Sequence, residues 1–338
     1  MIMKVAVVGT GSIGKRHLKT LLTLVPKYDI SELVCYDKSQ ERRDEVENKF
    51  NGVLVSNSLK ETVLNSDIIF ICVPTSLHIP VWKEIKGYGE FNYFIEKPLS
   101  HTFKDCDQII FEQHRAKKHA LVGYMMRLHP VLNKAKSLID DGKIGRVLNV
   151  RAESGLYLPF FHPWEDYRDF YMSWKLGGGG ALLDVSHEID YLMWLFGDIK
   201  YAQGYSMHIS DLEITTDDYT TCIFEFENGI MGELHLDLLQ PEESRFLKVI
   251  GSKGVLIADL MKNTVKYNTV DDTKWLEEEL DVDFDKIYLD EDSNVLNCIL
   301  GKENRTTHIV EAAKVMQVIE AIRRSTSYGC RVRLPIYD

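Results

Sequence analysis

The first apolar run of the chain, Val5 to Val8, is short, rich in valine and closed by a glycine, which predicts a buried parallel strand. Beyond it the period changes, and Ile13, His17, Leu18, Leu21 and Val25 recur at helical spacing. The alternation then repeats. Strands are predicted at 52–57 and 67–74 with a helix over Leu59–Leu64 between them. "YFIEKP" and "HALVGYMM" predict two more strands around a helix in "CDQIIFEQHRAKK". Strand followed by helix in this way makes a parallel sheet wound on both faces.

After Pro130 the texture differs. A helix is predicted over Asn133–Asp140, and "DGKIG" turns the chain. Two alternating runs then flank Asn228-Gly229, a hairpin signal, and a second pair flanks Ser252-Lys253-Gly254. These predict antiparallel strands, with Ile223 or Leu234 on one face of the sheet and Phe224 on the other. A last helix carries Ile309, Ala312, Ala313, Met316, Ile319 and Ile322 on one stripe and stops before Gly329. Two domains follow, 1–123 and 124–338, in keeping with a length of 338 residues.

Composition narrows the function classes. Hydrophobic residues make up 45% and charged ones 27%, the balance of a chain with a real core. A net charge of -11 disfavours nucleic acid and anionic membrane as partners. No apolar run reaches the length of a membrane span, and the N-terminal segment lacks a signal-peptide cleavage pattern. The six cysteines are scattered and form no CxxC pair, so the reading is reduced thiols, a cytoplasmic location and no metal.

Chemistry enters at Gly9, Gly11 and Gly14, a G-x-G-x-x-G between the first strand and the first helix. The first glycine makes the tight turn, the second lets backbone approach a pyrophosphate, and the third lets helix pack on strand. Ser12 and Ile13 then sit at the helix N-terminus, which offers N–H groups to phosphate. Asp37 ends the second strand 23 positions beyond Gly14, where a carboxylate binds the ribose hydroxyls and repels a 2′-phosphate. The cofactor is therefore NAD rather than NADP, with Lys38, Arg42 and Arg43 close enough to soften the preference. Pro74, Thr75, Glu96, Lys97 and Tyr124 fall at the carboxyl ends of strands, where ligands of such sheets bind.

"GGGGALLDVSHEID" raises a second question, because four glycines precede a strong helical pattern. From Ala181 to Phe196, Leu182, Val185, Ile189, Leu192 and Phe196 trace one stripe, and Asp184, His187, Glu188 and Tyr191 the opposite one. The glycines are read as room for a substrate or nicotinamide to approach the backbone. Histidine is poised to take a hydroxyl proton near neutral pH, and Asp184 or Asp190, one turn away, would orient it. Upstream, "LYLPFFHPWEDYRDFYMSWK" is dense in aromatics that stack on sugar faces and holds Arg168, a two-pronged binder of anions.

The motifs "VVGTGSIGKRH", "CVPTSLH", "IEKPLS", "GYMMRLHP", "GGGGALLDVSHEIDYLMWLFG" and "EAAKVMQVIEAIRRSTSYG" run in order along almost the whole chain. In this the chain resembles the Gfo/Idh/MocA family of nicotinamide-dependent sugar and polyol oxidoreductases. The resemblance implies an N-terminal Rossmann domain with a doubly wound parallel sheet. It also implies a C-terminal α/β domain whose open antiparallel sheet makes dimer or tetramer contacts. It further implies that Lys97 touches the substrate hydroxyl, that Pro98 is cis, that His187 is the acid/base, and that His78 joins the cofactor residues. The substrate residues expected are Tyr124, Arg127, Trp164, Tyr167, Arg168, Lys175, Asp184 and His187, and the substrate is a sugar, sugar acid or nucleotide-linked sugar. Two positions depart from the family pattern: Asp184 and His187 are three apart rather than four, and Met126 stands where asparagine is frequent. An NAD-dependent glycosidase of the same family, or an NAD-binding regulator without turnover, are the other functions considered.

Overall fold

The computed structural model describes residues 3–161, 163–302 and 305–336. In chain order the first elements are β1 (Met3–Val8), α1 (Ser12–Tyr28), β2 (Ile30–Tyr36), α2 (Gln40–Lys49), β3 (Leu54–Val55), α3 (Leu59–Val63) and β4 (Ile68–Ile71). Then come α4 (His78–Lys86), β5 (Asn92–Ile95), α5 (Cys106–Ala116), β6 (Ala120–Val122), α6 (Pro130–Asp140), β7 (Val147–Tyr157) and α7 (Leu158–Phe161). The next elements are α8 (Ala181–Asp184), α9 (His187–Phe196), β8 (Ile199–Met207), β9 (Tyr219–Phe226), β10 (Met231–Asp237) and β11 (Leu239–Gly251). The chain closes with β12 (Gly254–Asp259), β13 (Thr264–Thr269), β14 (Leu276–Glu279), α10 (Phe284–Ile299), β15 (Thr307–His308), α11 (Ile309–Tyr328) and β16 (Val332–Arg333).

The chain forms two compact units. One holds Met1–Met125 and Asp283–Ala313, the other Met126–Val282 and Lys314–Asp338. A single cut after 123 thus leaves out a returning segment. The reason is apolar: Val295, Leu296 and Cys298 of α10 bury themselves in the same core as Leu18, Leu21 and Leu24 of α1. Tyr28 fastens the contact by donating to the carbonyl of Ser293 at 3.2 Å.

In the first unit the strand order is β15-β6-β5-β4-β1-β2-β3, parallel from β6 to β3, with β15 antiparallel on the β6 edge. β1 lies inside the sheet between β4 and β2, and all of Val5 to Val8 is buried, as a strand covered by helices on both faces must be. The order reverses between β1 and β4, which puts the topological switch point at the end of β1, where Gly9 follows.

In the second unit nine strands run β14-β13-β12-β11-β7-β10-β9-β8-β16. This sheet is antiparallel except at one pair, β7–β10, which is parallel. Between those two strands the chain makes α7, α8, α9, β8 and β9, the long crossover that a parallel neighbour requires. Cross-strand register corrects the expected faces. Leu234 lies opposite Cys222 and shares the buried side with Phe224, while Ile223 is 57% exposed on the other side.

The single helix expected over 181–196 is two. α8 ends at Asp184, and α9 starts afresh at His187 after Val185 and Ser186. Asp217 anchors the short piece, its backbone carbonyl accepting from the Ala181 N–H at 2.9 Å and its carboxylate from the Leu182 N–H at 2.8 Å. The same contacts explain the glycines. A Cβ on Gly179 would overlap the Met172 carbonyl, and one on Gly180, at φ +111°, would overlap Thr216 and Asp217. Close approach is required there, but by the protein's own chain.

Candidate functional site

In the first unit Gly9, at φ +93°, turns the chain out of β1, and a Cβ there would come 2.6 Å from the Cys72 carbonyl oxygen. A Cβ on Gly14 would overlap the Gly9 carbonyl, so α1 packs against the loop only with glycine present. Gly11 differs: its Cβ would meet no atom closer than 3.8 Å, on Arg42, so the backbone at the head of α1 is open on that side. Gly11 is the N-cap and provides no side-chain cap to the first turn, which includes Ser12 and Ile13. A cradle with this geometry suits an anion at the positive end of the α1 dipole.

Asp37 is 6% exposed. Its Oδ2 accepts from the Thr10 N–H at 2.8 Å and its Oδ1 from the Ser39 N–H at 2.9 Å, which locks the carboxylate beside the glycine loop. Arg43 reaches the Asp37 carbonyl, and Arg42 comes within 3.7 Å of its carboxylate. These residues fit a dinucleotide: a glycine cradle, an uncapped helix start and an oriented carboxylate.

Beyond the carboxyl ends of β4 and β5 the picture is more structural than expected. Pro74 and buried Thr75 begin the turn into α4. His78 is buried, with its ring nitrogens 2.8 Å from the Pro98 carbonyl oxygen and 2.9 Å from that of Val73. Burial holds its pKa below the usual range. It therefore braces the Lys97–Pro98 turn, whose peptide is cis. Glu96 is likewise committed, to the Lys97 N–H at 2.9 Å and to His17 Nε2 at 2.9 Å. His17 places its other nitrogen 2.8 Å from Asp292, and Thr20 also donates to Asp292.

Burial opposes charge on His17, but the Asp292 and Glu96 carboxylates outweigh it and raise its pKa well above the ordinary value. Burial and the nearby Glu96 push Glu291 in the same direction, toward its protonated form. Lys97, half-buried, directly follows Glu96 of this network, and Tyr124 is buried just after β6. Sequence reasoning missed the network. His17 reads as one position of an apolar stripe, and Asp292 lies 275 positions away.

The second unit holds the other candidates. His187 is 8% exposed and is the first residue of α9, directly after the break. Asp184 and Glu188, expected on a polar face, and Asp190 are all buried. Asp184 accepts from the Tyr171 hydroxyl at 2.7 Å. Glu188 accepts from Arg245 at 2.7 Å. Asp190 takes both prongs of Arg127, at 2.9 and 2.7 Å. Arg127, expected to bind substrate, is thus engaged inside the unit as a clamp on α9. Asp190 and Glu188 are fully buried and so need such partners.

The aromatic segment also differs from expectation. Arg168 pairs with Asp166, at 2.5 Å, and with Glu213, at 3.0 Å, and all three side chains are exposed. Tyr167 accepts the Glu213 N–H at 3.2 Å. Trp164 is 76% exposed, and exposed Lys175 donates its backbone N–H to Thr215. His162 lies outside the described residues.

Residues 3–124 match the family model described as "Oxidoreductase family, NAD-binding Rossmann fold", and residues 132–257 match the GFO/IDH/MocA C-terminal domain. Myo-inositol 2-dehydrogenase of Thermotoga maritima is 25% identical over 274 residues, 78% of this chain and 77% of that one. Among solved structures, levoglucosan dehydrogenase in complex with NADH and levoglucosan superposes with a TM-score of 0.86 at 16% identity, covering 99% of this chain and 100% of that one. The WlbA dehydrogenase from Bordetella pertussis in complex with NADH and UDP-GlcNAcA has a TM-score of 0.83 at 21% identity, with 99% and 98% covered. These two share the fold.

A Rossmann domain with an NAD cradle, followed by a sheet domain, defines a nicotinamide-dependent oxidoreductase acting on CH–OH groups. The chain belongs to the Gfo/Idh/MocA family of these enzymes. Among its described residues no helix is long and apolar enough to cross a membrane.

Proposed function

We propose that the enzyme moves a hydride between NAD and a secondary hydroxyl or keto carbon of a sugar, sugar acid or nucleotide-linked sugar, with His187 as the acid/base. The observation that carries the reading is His187 itself: a nearly buried imidazole at the first position of α9, in a stretch whose acids are each tied to a named partner. The sugar class is supported by relatives and fold neighbours named for inositol, levoglucosan and UDP-GlcNAcA.

Gly9, Gly11 and Gly14 with Ser12 and Ile13 would hold the pyrophosphate, and Asp37 the ribose. When bound, NAD supplies the hydride acceptor for oxidation, and its reduced form the donor for the reverse. His187 takes the hydroxyl proton during oxidation and returns it during reduction. Lys97 stabilises the negative charge that develops on that oxygen. Asp184, held by the Tyr171 hydroxyl, is the carboxylate three positions before His187 that would orient the imidazole. The test is NADH absorbance on mixing enzyme, NAD and a panel of sugars. Absence of NADH with every sugar would overturn the reading, and cleavage of an aryl glycoside without net NADH would assign glycosidase chemistry instead.

Asp37 is expected to select NAD. Fluorescence titration should give tighter binding of NAD than NADP, and Asp37→Ala should weaken NAD by roughly ten- to a hundredfold, the worth of a hydrogen bond to a charged group. Equal or tighter NADP binding by the wild type would transfer the assignment to Arg42 or Arg43.

A homodimer or homotetramer is proposed on the outer face of the second unit's sheet. Ile223, Met231 and Tyr205 are 57%, 43% and 53% exposed there, and an antiparallel sheet must have that face solvated or covered. Light scattering at micromolar concentration should return two or four times 38.9 kDa. A mass of one chain would count against it.

A further inference from the structure

Cys298, His119 and His308 come from three separate segments of the first unit, and nothing in the dehydrogenase chemistry uses them. β15 pairs antiparallel with β6 so that His308 lies opposite Leu121. His119 precedes Leu121 by two positions and therefore projects on the same face, diagonal to His308. The end of α10 covers that face, with Cys298 and Leu121 in one core cluster. All the ligating atoms lie within 4.8 Å of one another.

We propose that this trio binds a divalent transition metal of the zinc class, with two imidazoles and one thiolate as protein ligands and water at the fourth position. The donor set of two nitrogens and one sulfur is that of zinc and excludes magnesium and calcium, which take oxygen. The geometry agrees. Bonds of about 2.3 Å to sulfur and about 2.05 Å to nitrogen at a tetrahedral angle separate those atoms by about 3.6 Å. Cys298 Sγ and His119 Nδ1 are 3.6 Å apart. Both histidines are exposed, so their rings can close the remaining distance by a small rotation, and the fourth position is open to solvent.

Burial, the neighbouring His308 and Lys118 all lower the pKa of His119. Burial raises the Cys298 thiol, which opposes ligation until the metal displaces its proton. Because the three ligands join α10, β15 and the segment before β6, the metal acts as a staple holding the returning segment on the parallel sheet.

The test uses the full chain, stripped with a chelator and titrated with Co²⁺ alone. One equivalent should bind and give a thiolate-to-cobalt charge-transfer band with tetrahedral visible absorption, and Zn²⁺ should displace it. Cys298→Ser should abolish the charge-transfer band, and His308→Ala should weaken binding about tenfold or more, since one of three protein ligands is lost. Cys330→Ser, which removes the exposed cysteine, should change neither. Metal should raise Tm in the wild type and not in His119→Gln/His308→Gln, with NAD affinity the same in both. Failure to bind one equivalent, or an unchanged spectrum in Cys298→Ser, would overturn the assignment. A band lost in Cys330→Ser would place the cobalt at the exposed thiol and overturn it equally.

Discussion

His187→Asn is expected to keep NAD affinity and lower turnover by roughly two to four powers of ten, the contribution of a positioned general base. Asparagine preserves much of the ring's bulk, so the nearly buried position at the head of α9 stays filled. The pH profile separates chemistry from packing. Oxidation by the wild type should rise with pH as the imidazole loses its proton and then flatten, and this limb should vanish in His187→Asn. Lys97→Met should also spare NAD binding while lowering turnover, because the lysine follows β5 and not the phosphate loop. An unchanged rate in a folded, NAD-binding His187→Asn would make the histidine structural. The proton carrier would then be sought at Lys97, and after it at Tyr124 or Tyr167.

Arg127→Met is expected to destabilise the protein by about 3–5 kcal/mol, the cost of leaving one half of a buried ion pair behind. Asp190 has no exposed surface and receives two hydrogen bonds from a guanidinium that is itself 8% exposed at the side chain. Without that arginine the Asp190 carboxylate must stay charged in a dry interior or take up a proton. The double variant Arg127→Met/Asp190→Leu should recover a large part of the loss, since removing both charges removes the desolvation penalty as well. Urea unfolding of the three proteins measures this. Equal stability of Arg127→Met and wild type would show that the pair contributes little. Because Asp190 lies one turn beyond His187 on α9, the single variant should also lower turnover at temperatures where it remains folded.

The parts of this account that were legible in the sequence share one property: their signals are local. Gly9, Gly11 and Gly14 sit within six residues across the junction of β1 and α1, and Asp37 directly follows the very next strand. Steric need and charge are both visible there without knowing the rest of the fold. The Glu96–His17–Asp292 network was invisible because its members are joined only when α10 returns to α1. The trio of His119, Cys298 and His308 was hidden for the same reason.

Elsewhere the local signal was real but its cause was different. Gly179 and Gly180 do mark a close approach, yet the approaching atoms belong to Met172, Thr216 and Asp217. Arg168 is a two-pronged anion binder, and the anions it binds are Asp166 and Glu213. The helical period of 181–196 continues across the break at Val185 and Ser186, because both stripes are buried and periodicity alone records no interruption.

The central claim is that hydride passes directly between a sugar carbon and NAD. A sugar that yields NADH in the panel, deuterated at its reacting carbon, should be turned over to completion and the recovered NADH weighed by mass spectrometry. The account predicts one deuterium in each NADH and an equal amount of keto product. Deuterium found in solvent water, or sugar consumed with NAD returned unchanged, would contradict it.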